Sequence, residues 1–201
     1  MSSSVIGSVI GQQLAFLAEL DKLKSVLRAS PLVNGSRKEN SAEHSWHIAM
    51  FAFTLAEHSG GADILKVVKM LLLHDIVEID AGDTPFFATG GDKAAEALVE
   101  RRAAERIFGM LPADQGAEML ALWLEFEAAE TREARFAKAI DRLQPLLINT
   151  LTNGGTWNDF GVNEQQAMDR YGAIISRGSP ALWEEAARRV AEHFAGQRKK
   201  A

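Results

Sequence analysis

A histidine and an aspartate stand side by side at His74-Asp75, inside the apolar run Leu71-Leu72-Leu73-His74-Asp75-Ile76-Val77. Taking such a pair out of water costs on the order of several kcal/mol unless each member is paired or bound to a cation. A divalent ion is the economical partner, and the chain holds further donors for it. His44 and His47 lie near the start of a predicted helix and share a face at a spacing of three, so spacing alone does not choose between them. Asp141 shares a helical stripe with Ala134, Ala137, Pro145 and Ile148, which turns its carboxylate inward. Glu78 follows His74 by four residues and shares its side of a helix, where a carboxylate can act beside an ion.

The chain contains no cysteine, so it can form neither a disulfide nor a thiolate zinc site, and any metal must be held by His, Asp or Glu. Taking His44, the set His44, His74, Asp75 and Asp141 offers two imidazoles and two carboxylates. That mixture suits one Mn²⁺, Fe²⁺, Co²⁺, Ni²⁺ or Zn²⁺ per chain better than Ca²⁺. A divalent ion with free positions lowers the pKa of a water it binds, which makes hydrolysis the predicted reaction class.

The elements that must position these groups read as helices. Apolar residues recur at three- and four-residue spacing, period-two runs of β-branched residues are nearly absent, and an all-α helical bundle is predicted. The first helix is expected from about Val9 to Arg28, with Leu14, Leu17, Leu20, Leu23 and Leu27 on its inner face, ending before Pro31. Asn40 or Ser41 caps a second helix, with Glu43 in its first turn, lasting to Ser59-Gly60-Gly61. A third, from about Ala62 to Ile79, carries His74-Asp75 and ends near Gly82, after which Asp83-Thr84-Pro85-Phe86 turns. Asp92, Asp114, Thr131, Asn163 and Ser179-Pro180 head further helices over about 93–110, 115–127, 132–152, 164–176 and 180–195. Pro145 cannot donate to the Asp141 carbonyl and is expected to bend its helix. Trp123, Phe126 and Phe136 read as core, whereas Trp157, after Asn153-Gly154-Gly155, reads as a loop residue able to lid the site or meet a second copy.

With 201 residues, 47% of them hydrophobic, the chain can bury one substantial core. A single domain is expected, with its core over about 9–177, a C-terminal helix over about 180–195 and a mobile tail over 196–201. A net charge of -5 argues against a nucleic-acid polymer as partner and favours small ligands. Met1 to Leu14 lacks a basic stretch ahead of a signal-type apolar core, and no later run is apolar enough to span a bilayer, so a cytoplasmic location is expected.

These motifs together resemble a known family. The order His44, then His74-Asp75 about thirty residues on, then a distant Asp141 is similar to the HD-domain metal-dependent phosphohydrolases. More narrowly, Glu39-Asn40-Ser41-Ala42-Glu43-His44-Ser45-Trp46 and Leu73-His74-Asp75-Ile76-Val77-Glu78 with Gly82-Asp83-Thr84-Pro85 resemble the branch containing the bacterial 5′-deoxynucleotidases. So does Leu122-Trp123-Leu124-Glu125-Phe126-Glu127 through Asp141-Arg142-Leu143-Gln144-Pro145. The resemblance implies His44, His74, Asp75 and Asp141 as metal ligands, and Glu78 and Asp83 as catalytic acids that manage the attacking water and the leaving 5′-oxygen. It further implies a nucleoside monophosphate as substrate and a homodimer.

A phosphate also needs donors. Arg37 in the loop before His44 is the first candidate, because the family often places a basic residue there; Lys38 is second, and Thr84 beside Asp83 completes the set. One departure stands out. The characterised nucleotidases carry an Arg-Trp pair before the proline corresponding to Pro31, gripping the phosphate and sensing the sugar, whereas this chain has Ala29-Ser30, with Arg28 one residue upstream as the candidate substitute. A phosphodiesterase, another phosphomonoesterase, or a metal-stabilised binding module with little turnover are the competing readings; Glu78 and Asp83 weigh against the last, since structural metal binding needs neither.

Overall fold

The computed structural model describes residues 7–199. Helices α1 (Val9–Leu20), α2 (Ser41–Thr54), α3 (Ile64–Leu73), α4 (Glu78–Ala81), α5 (Lys93–Phe108), α6 (Ala113–Ala128), α7 (Arg132–Leu151), α8 (Thr156–Asp159), α9 (Glu164–Gly178) and α10 (Pro180–Arg198) account for most of the chain. They surround α7, which packs against α2, α3, α6, α9 and α10. Its buried Ala134, Ala137 and Ala139 allow close approach of neighbouring backbones, and Phe136, Ile140 and Leu146 fill the core. Asp141 sits among them, buried. Among the described residues no helix is long and apolar enough to cross a membrane.

Two apolar clusters form the interior. The larger gathers Ile48, Met70, Leu71, Phe126, Phe136 and Ile140 around α7; the second joins Phe16, Leu23, Ile76, Val77, Ile107, Phe108 and Trp123 beneath α5. Chain order makes the junction informative: Met70 and Leu71 belong to the first cluster and Ile76 and Val77 to the second, so His74-Asp75 crosses between them. Polar groups at that seam are walled by apolar packing on both sides.

Side-chain caps explain most helix starts. Asn40 and Glu43 form a reciprocal capping box at α2, Asn163 and Gln166 another at α9, and Asp92, Thr131 and Ser179 each accept from a first-turn backbone amide. Asp114 is not a cap: α6 begins one residue before it, after Pro112. Trp123, Phe126 and Phe136 are buried as expected. Trp157 is buried too, neither a lid nor a loop contact, because it stacks on Phe194 of α10 at 5.4 Å and meets Tyr171 edge-on. Residues 196–198 belong to α10 rather than to a tail, and Lys200 and Ala201 lie outside the described residues.

Two expectations fail near the site. The first helix stops at Leu20, tightens into a 3₁₀ turn over Asp21–Ser25, and gives way to strand β1 (Leu27–Pro31), paired antiparallel with β2 (Lys38–Asn40). Val26 and the constraint that Pro31 places on Ser30 favour extended backbone over helix. Leu14, Leu17 and Leu27 are therefore exposed, and Phe16 and Leu23 supply the inner face. The expected long third helix likewise breaks: α3 ends at Leu73, His74–Val77 form a 3₁₀ turn, and α4 restarts at Glu78. Trp123 Nε1 donates to the His74 carbonyl at 3.2 Å and pins this turn.

Candidate active site

Three short segments and one long helix converge on a cleft. The 3₁₀ turn supplies His74 and Asp75, the first turn of α2 supplies His44, and the middle of α7 supplies Asp141. All four are buried. One ligand atom each from His44, His74 and Asp75 lies within 4.8 Å of the others, and Asp141 Oδ1 stands 3.2 Å from His44 Nε2 and 3.7 Å from His74 Nε2.

Hydrogen bonding fixes what His74 offers. Its Nδ1 lies 2.8 Å from the Leu71 carbonyl oxygen, an acceptor, so Nδ1 carries the hydrogen and Nε2 presents a lone pair in the neutral ring. That lone pair faces Asp75 Oδ1 at 2.8 Å and Asp141 Oδ1 at 3.7 Å, yet Nε2 has no hydrogen-bond partner. Three electron-rich atoms turned toward one point require a cation between them. Without one, a proton is the only remedy: burial opposes charging, but Asp75 and Asp141 outweigh it and push His74 up to about 10. Asp75 is held well below the ordinary carboxylate range despite its burial, by His74 and Arg28. The donor set and its orphaned nitrogen thus fit a divalent metal.

Two further carboxylates stand beside this group. Glu78 Oε2 accepts from Ser41 Oγ at 2.6 Å, and burial, with the charge of Asp75, pushes the Glu78 carboxyl up to about 8. Asp83 follows Gly82, whose φ of 75° and ψ of 162° lie in a region open essentially to glycine, and this turn swings the aspartate back to the cleft. Burial raises the Asp83 carboxyl as well, against the pull of Arg28. Thr84 lines the same cleft with Pro85, Phe86 and Phe87.

Arg28 is the cation that faces Asp75, Glu78 and Asp83, while Lys138 and Arg142 also line the cleft and Arg142 Nε stands 3.4 Å from Asp141 Oδ2. Arg28 Nη1 donates to Asp75 Oδ2 at 2.8 Å and stands 3.6 Å from Asp83 Oδ1 and 3.9 Å from Glu78 Oε1. A strand irregularity puts it there: between the pairs Leu27–Asn40 and Pro31–Lys38, β1 advances four residues while β2 advances two. The surplus backbone aims Arg28, Ala29 and Ser30 into the cleft. Arg37 and Lys38 are not brought there. Arg37 is exposed and forks onto Glu43, with Nη2 to Oε2 at 2.8 Å, while Lys38 reaches the Ala29 carbonyl and Asp159. The capping glutamate takes the charge that the sequence offered to a phosphate. The sequence marked Arg28 only as a substitute for the missing Arg-Trp pair; the strand that carries it, running from exposed Leu27 to buried Ser30, was hidden by the expectation of helix.

Residues 20–183 match the HD domain family. The chain belongs to the HD-domain family. Among solved structures, a predicted metal-dependent phosphohydrolase from Magnetospirillum magnetotacticum superposes with a TM-score of 0.87 at 51% identity, covering 92% of this HD-domain chain and 93% of that one. A Pyrococcus furiosus protein shares the fold with a TM-score of 0.60 at 23% identity, over 87% of this chain and 99% of that one. A 5′-deoxynucleotidase of Homo sapiens is 30% identical over 135 residues, 67% of this chain and 65% of that protein. Another from Escherichia coli is 28% identical over 141 residues, 66% of this chain and 69% of that protein. The HD-domain chain therefore spans about two thirds of the length of these curated relatives.

Proposed function

We propose that this HD-domain chain is a metal-dependent phosphohydrolase that converts nucleoside 5′-monophosphates to nucleoside and phosphate. The observation that carries it is the His74 Nε2 lone pair aimed at Asp75 and Asp141 oxygens in a buried cleft that also holds Arg28, Glu78 and Asp83. His44, His74, Asp75 and Asp141 would hold the ion, which when bound polarises a phosphoryl oxygen and makes water more acidic. Arg28 donates to the phosphate oxygens and offsets their charge. Glu78 and Asp83 divide the proton work, one accepting from the attacking water and the other giving to the leaving 5′-oxygen. Phe160, partly exposed at the edge of the cleft, offers a ring for a base, whereas Phe86 is covered by Arg142 and Arg170 and Tyr171 is buried. The names of the curated relatives support this substrate class, and a cytoplasmic homodimer built from a single domain is part of the same reading. Trp46, Met50 and Phe53 supply an exposed apolar face on α2 for the second copy.

The test is phosphate release from purified, metal-stripped protein against ribo- and deoxyribonucleoside 5′-monophosphates and a phosphodiester, with Mn²⁺, Co²⁺, Zn²⁺ or Mg²⁺ restored singly. Metal-dependent release from the monoesters is expected; with no Trp before Pro31 and Ser30 at that wall, both sugars are expected to serve. Preference for the phosphodiester, or no metal-dependent release at all, defeats the proposal.

The two arginines separate in a second measurement. Arg28→Ala is expected to lower kcat/KM by about 10- to 100-fold, the worth of a charge-assisted hydrogen bond. Arg37→Ala, which loses an exposed pair with Glu43 and a hydrogen bond to the Lys38 carbonyl, is expected to stay within about twofold of the parent. The reverse ranking would return the phosphate role to the loop.

A further inference from the structure

Glu39 is a buried acid that the proposed chemistry does not use. It lies on the inward side of β2, 4% exposed, between exposed Lys38 and the helix cap Asn40. Its Oε2 stands 3.3 Å from His44 Nδ1 and 3.7 Å from Arg28 Nε. Those three atoms are all buried, and in this arrangement none of them makes a hydrogen bond. The second oxygen, Oε1, accepts from Gln144 Nε2 at 2.9 Å. Gln144 rides on α7 three residues after Asp141, so the carboxylate is tethered to the helix that carries a proposed ligand.

An ionised carboxylate only accepts, and a neutral imidazole has one N–H. His44 faces a carboxylate at each ring nitrogen, with Asp141 Oδ1 in hydrogen-bond geometry 3.2 Å from Nε2 and Glu39 Oε2 3.3 Å from Nδ1, so once an ion takes Nε2 the ring hydrogen belongs on Nδ1, toward Glu39. At His74 the Leu71 carbonyl does the same task. His47 has the opposite arrangement: its Nδ1 lies 3.2 Å from the Gln144 amide nitrogen, a donor, so its lone pair is engaged away from the cleft. That difference, invisible in the spacing, separates two histidines three residues apart. We infer that Glu39 is the positioning residue of the site, fixing the His44 tautomer so that Nε2 meets the ion and steadying the Arg28 fork with the same oxygen. The inference rests on the ligand set proposed above.

The test reads the proton and the metal directly. In ¹⁵N-labelled full-length protein loaded with Zn²⁺, long-range ¹⁵N–¹H correlation is expected to show the His44 hydrogen on Nδ1. Glu39→Ala, which removes the acceptor facing that hydrogen, is expected to speed its exchange with solvent and to weaken Co²⁺ binding by about 10- to 100-fold, the usual effect of removing a carboxylate behind a ligating histidine. A purely structural Glu39 would lower thermal stability and leave both readouts unmoved. A hydrogen on Nε2 in the Zn²⁺-loaded parent protein overturns the inference, and that measurement needs no variant to fold. Unchanged Co²⁺ affinity in folded Glu39→Ala overturns it as well. Unchanged Co²⁺ affinity in His44→Ala would instead remove the ligand set, and the inference with it, a distinguishable failure.

Discussion

Replacing His74 by alanine is expected to abolish metal-dependent hydrolysis and to leave the purified protein without its ion. The ring is fixed before any metal arrives: the Leu71 carbonyl holds the Nδ1 hydrogen, and the Phe126 ring packs against the imidazole at 5.0 Å. Alanine removes the nitrogen that faces both Asp75 and Asp141, leaving three of the four proposed donors and no lone pair between the two carboxylates. Losing the ion forfeits several kcal/mol of transition-state stabilisation, so kcat/KM is expected to fall by about 10³-fold or more. The backbone should hold, because Trp123 bonds the main-chain carbonyl of this residue and not its ring. Metal content by elemental analysis, with phosphate release on the same sample, checks this. A thermal melt adds an independent reading: metal at a hundredfold excess over its Kd stabilises the parent by about 2.7 kcal/mol and should not stabilise the variant. A variant that purifies with a full complement of metal and turns over would show that His74 is not a ligand.

Three of the four residues that converge on the cleft, His74, Asp75 and Asp141, were legible because each conflicts with its setting. His74-Asp75 in an apolar run and Asp141 on an alanine stripe carry an energetic cost that a sequence displays without coordinates. The helical class was legible for the same reason of period, and the caps Asn40, Asp92, Thr131, Asn163 and Ser179 marked helix starts through their own hydrogen bonds. What could not be read was set by tertiary partners. Leu14, Leu17 and Leu27 keep helical spacing, yet the chain turns to β structure, because β1 gains a strand partner only when Lys38–Asn40 folds back on it. Arg28 then enters the cleft through an irregularity in pairing, and Glu39 faces inward by strand alternation. Arg37 lies outside the cleft because Glu43, which the sequence showed only as a capping residue, also receives the Arg37 fork.

Glu78→Gln is expected to lower kcat by about 10²- to 10⁴-fold while metal content stays at the parent level, the range for loss of a positioned acid or base. Glutamine keeps the volume and an oxygen for the Ser41 hydroxyl, but cannot take up and release a proton. The residue lies beside the proposed ligands and not among them, so metal retention distinguishes its loss from that of His74. Acidity supplies a second, independent readout in metal-stripped protein. Burial and Asp75 push the Glu78 carboxyl up to about 8 in the folded chain, against an unfolded value of 4.5. The folded state therefore binds a proton that the unfolded state has released, and the stability this contributes is complete below the unfolded value and lost as pH rises toward 8. Glu78→Gln should consequently lose less stability than the parent between pH 5 and about 8, as read from urea melts across that window. Identical slopes would mean that the carboxyl is ionised throughout and poorly suited to carry protons at neutral pH. Full activity in the variant would remove Glu78 from the mechanism, leaving Asp83, which Arg28 holds in the same cleft at 3.6 Å, as the remaining acid for the proton work.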